Sequence, residues 1–256
     1  MSPVGPRCPE HAGARRGPLG GGIARARRTR VGATQALVTK ALIAVNVAVY
    51  LITAVQGSGL NNPGGSLYVK WVLYGPFVAQ GDWWRLVTAM FLHGFLLHLG
   101  LNMLALWWIG TPVEEYLGRV RYLLLYLVSG LAGSAGALVG SPTSPVVGAS
   151  GAIFGILGAM LILEWQATGR LGGAAATLIV VNLGLNFAYN GAAGGGISIG
   201  GHIGGLIGGI LVTLSFARWG RGHAAYGRVG LSGAIGLVGV AAASVLVAYF
   251  QVRGLA

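Results

Sequence analysis

The chain of 256 residues has a single cysteine, Cys8, and only five acidic residues: Glu10, Asp82, Glu114, Glu115 and Glu164. One cysteine excludes a disulfide framework. Cys8 with His11 falls short of the four ligands that a structural zinc site takes, so no metal and no cofactor is expected. Charged residues of both signs amount to 9% of the sequence, against 54% hydrophobic. About a quarter of an ordinary soluble domain is charged. This deficit excludes a soluble globular domain, and the sequence reads as an all-α polytopic membrane protein.

What the chain has instead is long apolar runs. Seven can be marked, approximately at Ala36–Val55, His93–Ile109, Tyr122–Gly140, Ser150–Leu163, Leu171–Tyr189, Gly201–Ala217 and Val229–Phe250. A bilayer core takes about 20 residues of helix, and the fourth run is short for that. Ahead of them, residues 1–33 hold seven of the arginines among prolines and glycines. That composition predicts a basic, disordered cytoplasmic tail rather than a signal peptide. With the N-terminus inside, fourteen of the 17 Lys and Arg fall on the cytoplasmic side and only Lys70, Arg85 and Arg253 on the outer one. The positive-inside rule then gives an N-in, C-out topology. It also accounts for the +12 net charge without nucleic acid. The expected divisions are the tail at 1–33, a six-helix core at 34–217, and a cytoplasmic linker with a seventh helix at 218–256.

The string Gly148–Ala149–Ser150–Gly151 opens the fourth apolar run, with Pro142 and Pro145 just upstream. Proline before an apolar run marks a helix start. Ser150 therefore sits at a helix N-terminus, beside free backbone N–H groups and the positive end of the dipole. Those are components of an oxyanion hole. A similar string recurs as Gly230–Leu231–Ser232–Gly233, so the motif alone decides nothing. Topology separates the two. Ser232 lies at the cytoplasmic end of its helix, near only His223 in an arginine-rich loop. Ser150 lies at an outer end, where His93, His98 and His202 also fall. At 1.5 Å per residue, Ser150 is about 9 Å below the outer surface, His202 and His98 about 6 Å, and Asn102 about 12 Å. Polar groups at such depth should face one another or a wet cavity.

The motifs Trp84–Arg85, "HGFLLHLGLN" (His93, His98, Asn102), "EYLGRVRY", "GASGAIFG" and "GGHIGGLIGG" follow one another between residues 70 and 217. In that order the chain resembles the rhomboid intramembrane serine proteases. Gly201 departs from the alanine that often precedes the histidine, and the loop Gly191–Gly201, expected to cap the site, is unusually glycine-rich. The resemblance implies a rhomboid-like six-helix bundle plus one C-terminal transmembrane helix, the six-plus-one arrangement of bacterial members. It implies a serine endopeptidase of the cell membrane, cutting membrane-protein substrates in or near their transmembrane segments at the outer face. Partners are then those substrates and the lipid bilayer, with no nucleic acid.

Ser150 is the candidate nucleophile and His202 the candidate general base. All the acids but Asp82 fall on the inner side, and Asp82 is in the first loop, so a dyad is expected. Phe154, four residues after Ser150 and on the same helix face, is placed to stack on His202. The resemblance assigns His98 and Asn102, with the Ser150 backbone N–H, to the oxyanion. His93 is divided between anchoring a loop and supporting the oxyanion donors. Gly148 supports the site as the glycine flanking the serine, and Arg85 is expected to brace the first loop. Gly205 and Gly209 should meet Gly151, Gly155 and Ala159 through small-xxx-small faces. Asn182 and Asn186 read as interhelical hydrogen-bonding residues. The alternative is a catalytically inactive relative that only binds transmembrane helices.

Overall fold

The computed structural model describes residues 36–193, 196–216 and 230–255. The tail at 1–33, with Cys8, Glu10 and His11, lies outside the described residues, as do the loop with Arg218, Arg221, His223 and Arg228 and part of the cap at 191–201. The first long helix is α1 (Leu37–Gln56), followed by three short ones, α2 (Gly65–Trp71), α3 (Gly75–Ala79) and α4 (Arg85–Thr88). Then come α5 (Leu96–Leu117), α6 (Arg119–Gly140), α7 (Ser150–Thr168), α8 (Ala174–Ala193), α9 (Ile199–Phe216) and α10 (Leu231–Val252). There is no strand among the described residues, only an isolated antiparallel bridge between Leu73 and Val146.

Among the described residues, α1, α5, α6, α7, α9 and α10 are long and apolar enough to cross a membrane. The protein is an integral multi-pass membrane protein. Helix α8 has the length, at 20 residues, but it carries Asn182, Asn186 and Asn190 and is not among the six. Helix α5 is not uniform: Leu106–Gly110 is a π-helical turn within it.

The centre is built from α6, α7 and α9. A Cβ at Gly205 would overlap the carbonyl of Gly151, and one at Gly209 that of Gly155. The second edge of α9 is equally close to α6, with Gly200 against Gly136 and Gly204 against the Ala132 carbonyl. Lipid supplies no hydrophobic drive between helices, so contact without side chains is what holds these backbones together. Around this seam Tyr122, Leu125, Tyr126, Ile156 and Leu157 are fully buried.

Two carboxylates cap helices other than their own. Glu114, 2% exposed, accepts the Val38 and Thr39 N–H groups and the Thr39 hydroxyl at the start of α1. Glu164 accepts the Ala175 N–H at the start of α8. The first N–H groups of a helix lack intrahelical acceptors and the dipole end is positive, so each carboxylate is doubly stabilised there. This explains why α7 runs past Leu163, where the apolar run stops. Glu164 is satisfied, and the helix continues to Gly169, whose φ of +72° ends it. Likewise α5 reaches Leu117, past the end of its apolar run, because Glu114 serves a neighbour instead of ending the helix in water; it starts at Leu96 rather than His93, after an extended Phe95.

The segment between α1 and α5 shows no helical periodicity, yet it folds into α2, α3 and α4 around Arg85. The Arg85 guanidinium donates to Asp82 Oδ2 at 2.8 and 2.9 Å and to the carbonyls of Val69 and Val72 at 2.6 and 3.0 Å. It also lies 4.5 Å over the Phe77 ring. An arginine 5% exposed is tolerated because four of its five N–H groups are bonded and its charge is paired with Asp82. The Leu73–Val146 pair, the Gly75 N–H on the Pro142 carbonyl and the Gly148 N–H on the Ala89 carbonyl tie this segment to the stretch leading into Ser150.

Candidate active site

Ser150 is the first residue of α7, half-buried, and His202 is on the first turn of α9, 6% exposed. The glycine contacts between α7 and α9 fix their separation. His202 Nε2 and Ser150 Oγ are 2.8 Å apart, a full hydrogen bond. The Phe154 ring lies flat on the imidazole, with centroids 4.3 Å apart and planes inclined by 11°. The ring of His202 is thus held on one face by an aromatic and at one edge by the serine.

His98 is on the first turn of α5. A Cβ built at Gly148 would lie 2.8 Å from His98 Nε2 and 3.8 Å from Ser150 Oγ, so both groups border the same small space. Gly148 has φ +129°, a conformation that glycine adopts without strain. The Gly94 N–H points at His98 Nδ1 across a long 3.5 Å. That contact makes Nδ1 the acceptor and leaves the proton on Nε2, facing the serine.

Asn102, 7% exposed, is one turn further along α5. Its amide donates to the His98 carbonyl at 2.8 Å, which leaves one N–H of the carboxamide for another acceptor. His93 precedes the helix and does not reach Ser150. Fully buried, it packs edge-on against His98, with centroids 5.0 Å apart and planes at 65°. Burial pushes the His93 imidazole down to about 3, helped by the neighbouring His98. It is neutral at any working pH and acts as a wall behind His98. Arg85 braces the first loop and is remote from this chemistry.

Ser232, in the other glycine-flanked string, is exposed on the first turn of α10. Of the described acids, Glu114 and Glu164 serve helix ends and Asp82 serves Arg85, while Glu115 is exposed. Asn186 on α8, read from the sequence only as an interhelical hydrogen-bonding residue, belongs to the site: its carboxamide nitrogen is 2.7 Å from His202 Nδ1. The signal was there in the spacing of Asn182, Asn186 and Asn190, which puts three carboxamides on one helix face.

The arrangement can activate a hydroxyl and place polar N–H groups around the point of attack. A family model described as "Rhomboid domain" matches residues 80–219. The Rhomboid protease GluP of Bacillus subtilis (strain 168) is 38% identical over 154 residues, 59% of this chain and 30% of that protein. The Putative rhomboid protease YdcA of the same organism is 38% identical over 107 residues, 41% of this chain and 54% of its own length. RHOMBOID-like protein 5 of Arabidopsis thaliana is 44% identical over 118 residues, 43% of this chain and 38% of that one. The chain therefore aligns with about a third to a half of the length of these relatives.

Proposed function

The chain belongs to the rhomboid family, and on that premise we propose that it is an intramembrane serine endopeptidase. The observation that carries the reading is the 2.8 Å bond between Ser150 Oγ and a buried His202 Nε2 stacked on Phe154. His202 takes the serine proton as Oγ attacks a substrate carbonyl, then returns it to the leaving amine. Substrates are membrane proteins cut in or near a transmembrane segment. The distribution of Lys and Arg supports an N-terminus in the cytoplasm and a site opening to the outer side of a cell membrane.

The direct test is reaction of the purified protein with a fluorophosphonate, which modifies only activated serines. One label per chain on Ser150, with cleavage of a transmembrane reporter, is the expected result. An unlabelled protein that still binds transmembrane helices would replace the protease with an inactive binding protein.

His98 and Asn102 are proposed as oxyanion donors together with the Ser150 backbone N–H, and the geometry ranks them. His98 Nε2 borders the space beside Ser150 Oγ, whereas the Asn102 amide is partly spent on the His98 carbonyl. Losing a donor of this kind costs about 10²–10³-fold in kcat. His98→Ala should show that loss with little change in KM, since the bond forms only in the transition state. Asn102→Ala should lose less in kcat and more in stability, by roughly 0.5–2 kcal/mol. Steady-state kinetics and melting in detergent separate the two effects. A melting change with unaltered turnover in both variants removes α5 from the mechanism.

A further inference from the structure

A neutral imidazole carries one proton. For Nε2 of His202 to accept from the Ser150 hydroxyl, that proton must be on Nδ1. In a buried ring, an N–H without an acceptor is costly, and it would also free the ring to adopt the wrong tautomer. In a serine protease triad a carboxylate takes this N–H. Among the described carboxylates, three are occupied at the start of α1, at the start of α8 and on Arg85, and Glu115 is exposed. What faces Nδ1 is the Asn186 carboxamide, 2.7 Å away, on the opposite side of the ring from the 2.8 Å bond to Ser150. Rotating a carboxamide by half a turn exchanges its oxygen and nitrogen with almost no other change in shape. The oxygen can therefore occupy the place beside Nδ1.

The helix carrying Asn186 has little other reason to hold it there. From 180 to 192, every side chain of α8 is exposed except Leu183, Asn186 and Asn190. Asn190 clamps the backbone of Ile197, donating to its carbonyl at 2.7 Å and accepting its N–H at 3.0 Å. Asn182 bonds within its own helix, to the Leu178 carbonyl. Only the middle asparagine of the three reaches a side chain of the site. A carboxamide in an apolar layer is expensive unless it is bonded to something specific.

We propose that Asn186 is a positioning residue of a Ser150–His202–Asn186 relay, its carboxamide oxygen accepting the Nδ1–H of His202. This rests on the protease reading above. As the bond from Oγ to the substrate carbonyl carbon forms, the carbonyl electron pair moves to oxygen and the hydroxyl proton passes to Nε2. When the carbon–nitrogen bond breaks, that proton goes to the leaving amine. Water then attacks the acyl-serine carbonyl and gives a proton to Nε2, which passes to Ser150 Oγ as the ester bond breaks and the acid is released. Nδ1 keeps its own proton throughout, and Asn186 stays neutral. The other titratable side chain facing this cluster is His98, from α5.

The test combines histidine ¹⁵N NMR with kinetics on the full chain in detergent. The His202 signals are assigned by their loss in His202→Ala. In the wild type, Nδ1 should be protonated and Nε2 bare, and Asn186→Ala should give a mixture of tautomers. The same variant should lose about 10–100-fold in kcat with KM within about twofold, since a wrong tautomer in a triad is costlier still. Asn186→Asp should recover kcat and move the acid limb of the pH–rate profile up by about one pH unit, because a carboxylate favours the imidazolium. A purely structural asparagine would change melting alone. Wild-type tautomer and turnover in Asn186→Ala overturn the relay. If the wild type cleaves no reporter, the protease reading fails, while the tautomer measurement still decides whether Asn186 sets the histidine.

Discussion

Ser150→Ala should abolish cleavage of a transmembrane reporter, and His202→Ala should do the same, each with a loss on the order of 10⁴–10⁶-fold. Combining them costs little more, because the two residues act as one unit. The hydroxyl has one base, His202 Nε2 at 2.8 Å, and among the described residues no other serine bonds a histidine. Ser129 and Ser134 donate to the carbonyls of Leu125 and Leu86, and Ser244 to that of Val240, all at 2.6 to 2.8 Å. Those hydroxyls serve the backbone and have no proton acceptor that could activate them. Ser232→Ala, in the decoy string, should keep near wild-type activity. Rates in proteoliposomes, with circular dichroism to verify folding, decide the matter. Full activity in Ser150→Ala, or loss in a folded Ser232→Ala, reverses the assignment.

Gly205→Ala should inactivate the protein without touching a reacting atom. The added methyl group would overlap the Gly151 carbonyl, which belongs to backbone and cannot swing aside. Relief requires α9 to back away from α7, and that carries His202 from Ser150. A displacement of about 1 Å at a reacting pair costs around 10²-fold in rate. Overpacking adds about 1–3 kcal/mol of instability. Gly239→Ala is the matched control, since nothing lies within 4 Å of a Cβ there. Replacing an unobstructed helical glycine should gain up to about 1 kcal/mol in propensity. The same chemical change is thus expected to lower the melting temperature at one position and to leave or raise it at the other. Equal melting and equal fluorophosphonate labelling in the two variants would show that the seam tolerates more than its geometry allows.

The transmembrane helices were legible because they depend on composition: an apolar run of sufficient length has few other solutions. The proximity of Ser150 and His202 was legible for a related reason. Glycines four apart on two helices have little use except close approach, and Gly205 against Gly151 follows from that spacing. Contacts between polar groups far apart in sequence were not legible. Nothing local to Glu114 indicates that it accepts the Val38 N–H, 76 residues earlier, at the start of α1. Nothing local to Asp82 separates a loop acid from the partner of a buried arginine. Asn186 was visible as a polar residue in an apolar run. Its target, 16 residues away across a glycine-rich loop, required the fold. The short helices between α1 and α5 stayed hidden because Arg85 organises them from within, rather than a periodic apolar face.

The π-helical turn at Leu106–Gly110 acts as a phase shifter. A straight α-helix advances about 100° per residue, so positions 102 and 114 would point about 120° apart. One residue absorbed in a π turn reduces that to about 20°. Asn102 and Glu114, both buried, then look the same way from opposite ends of one rod. A single helix thereby answers two unrelated demands, the proposed active site near one end and the mooring of α1 near the other. Neither has to be moved out of step to suit its partner.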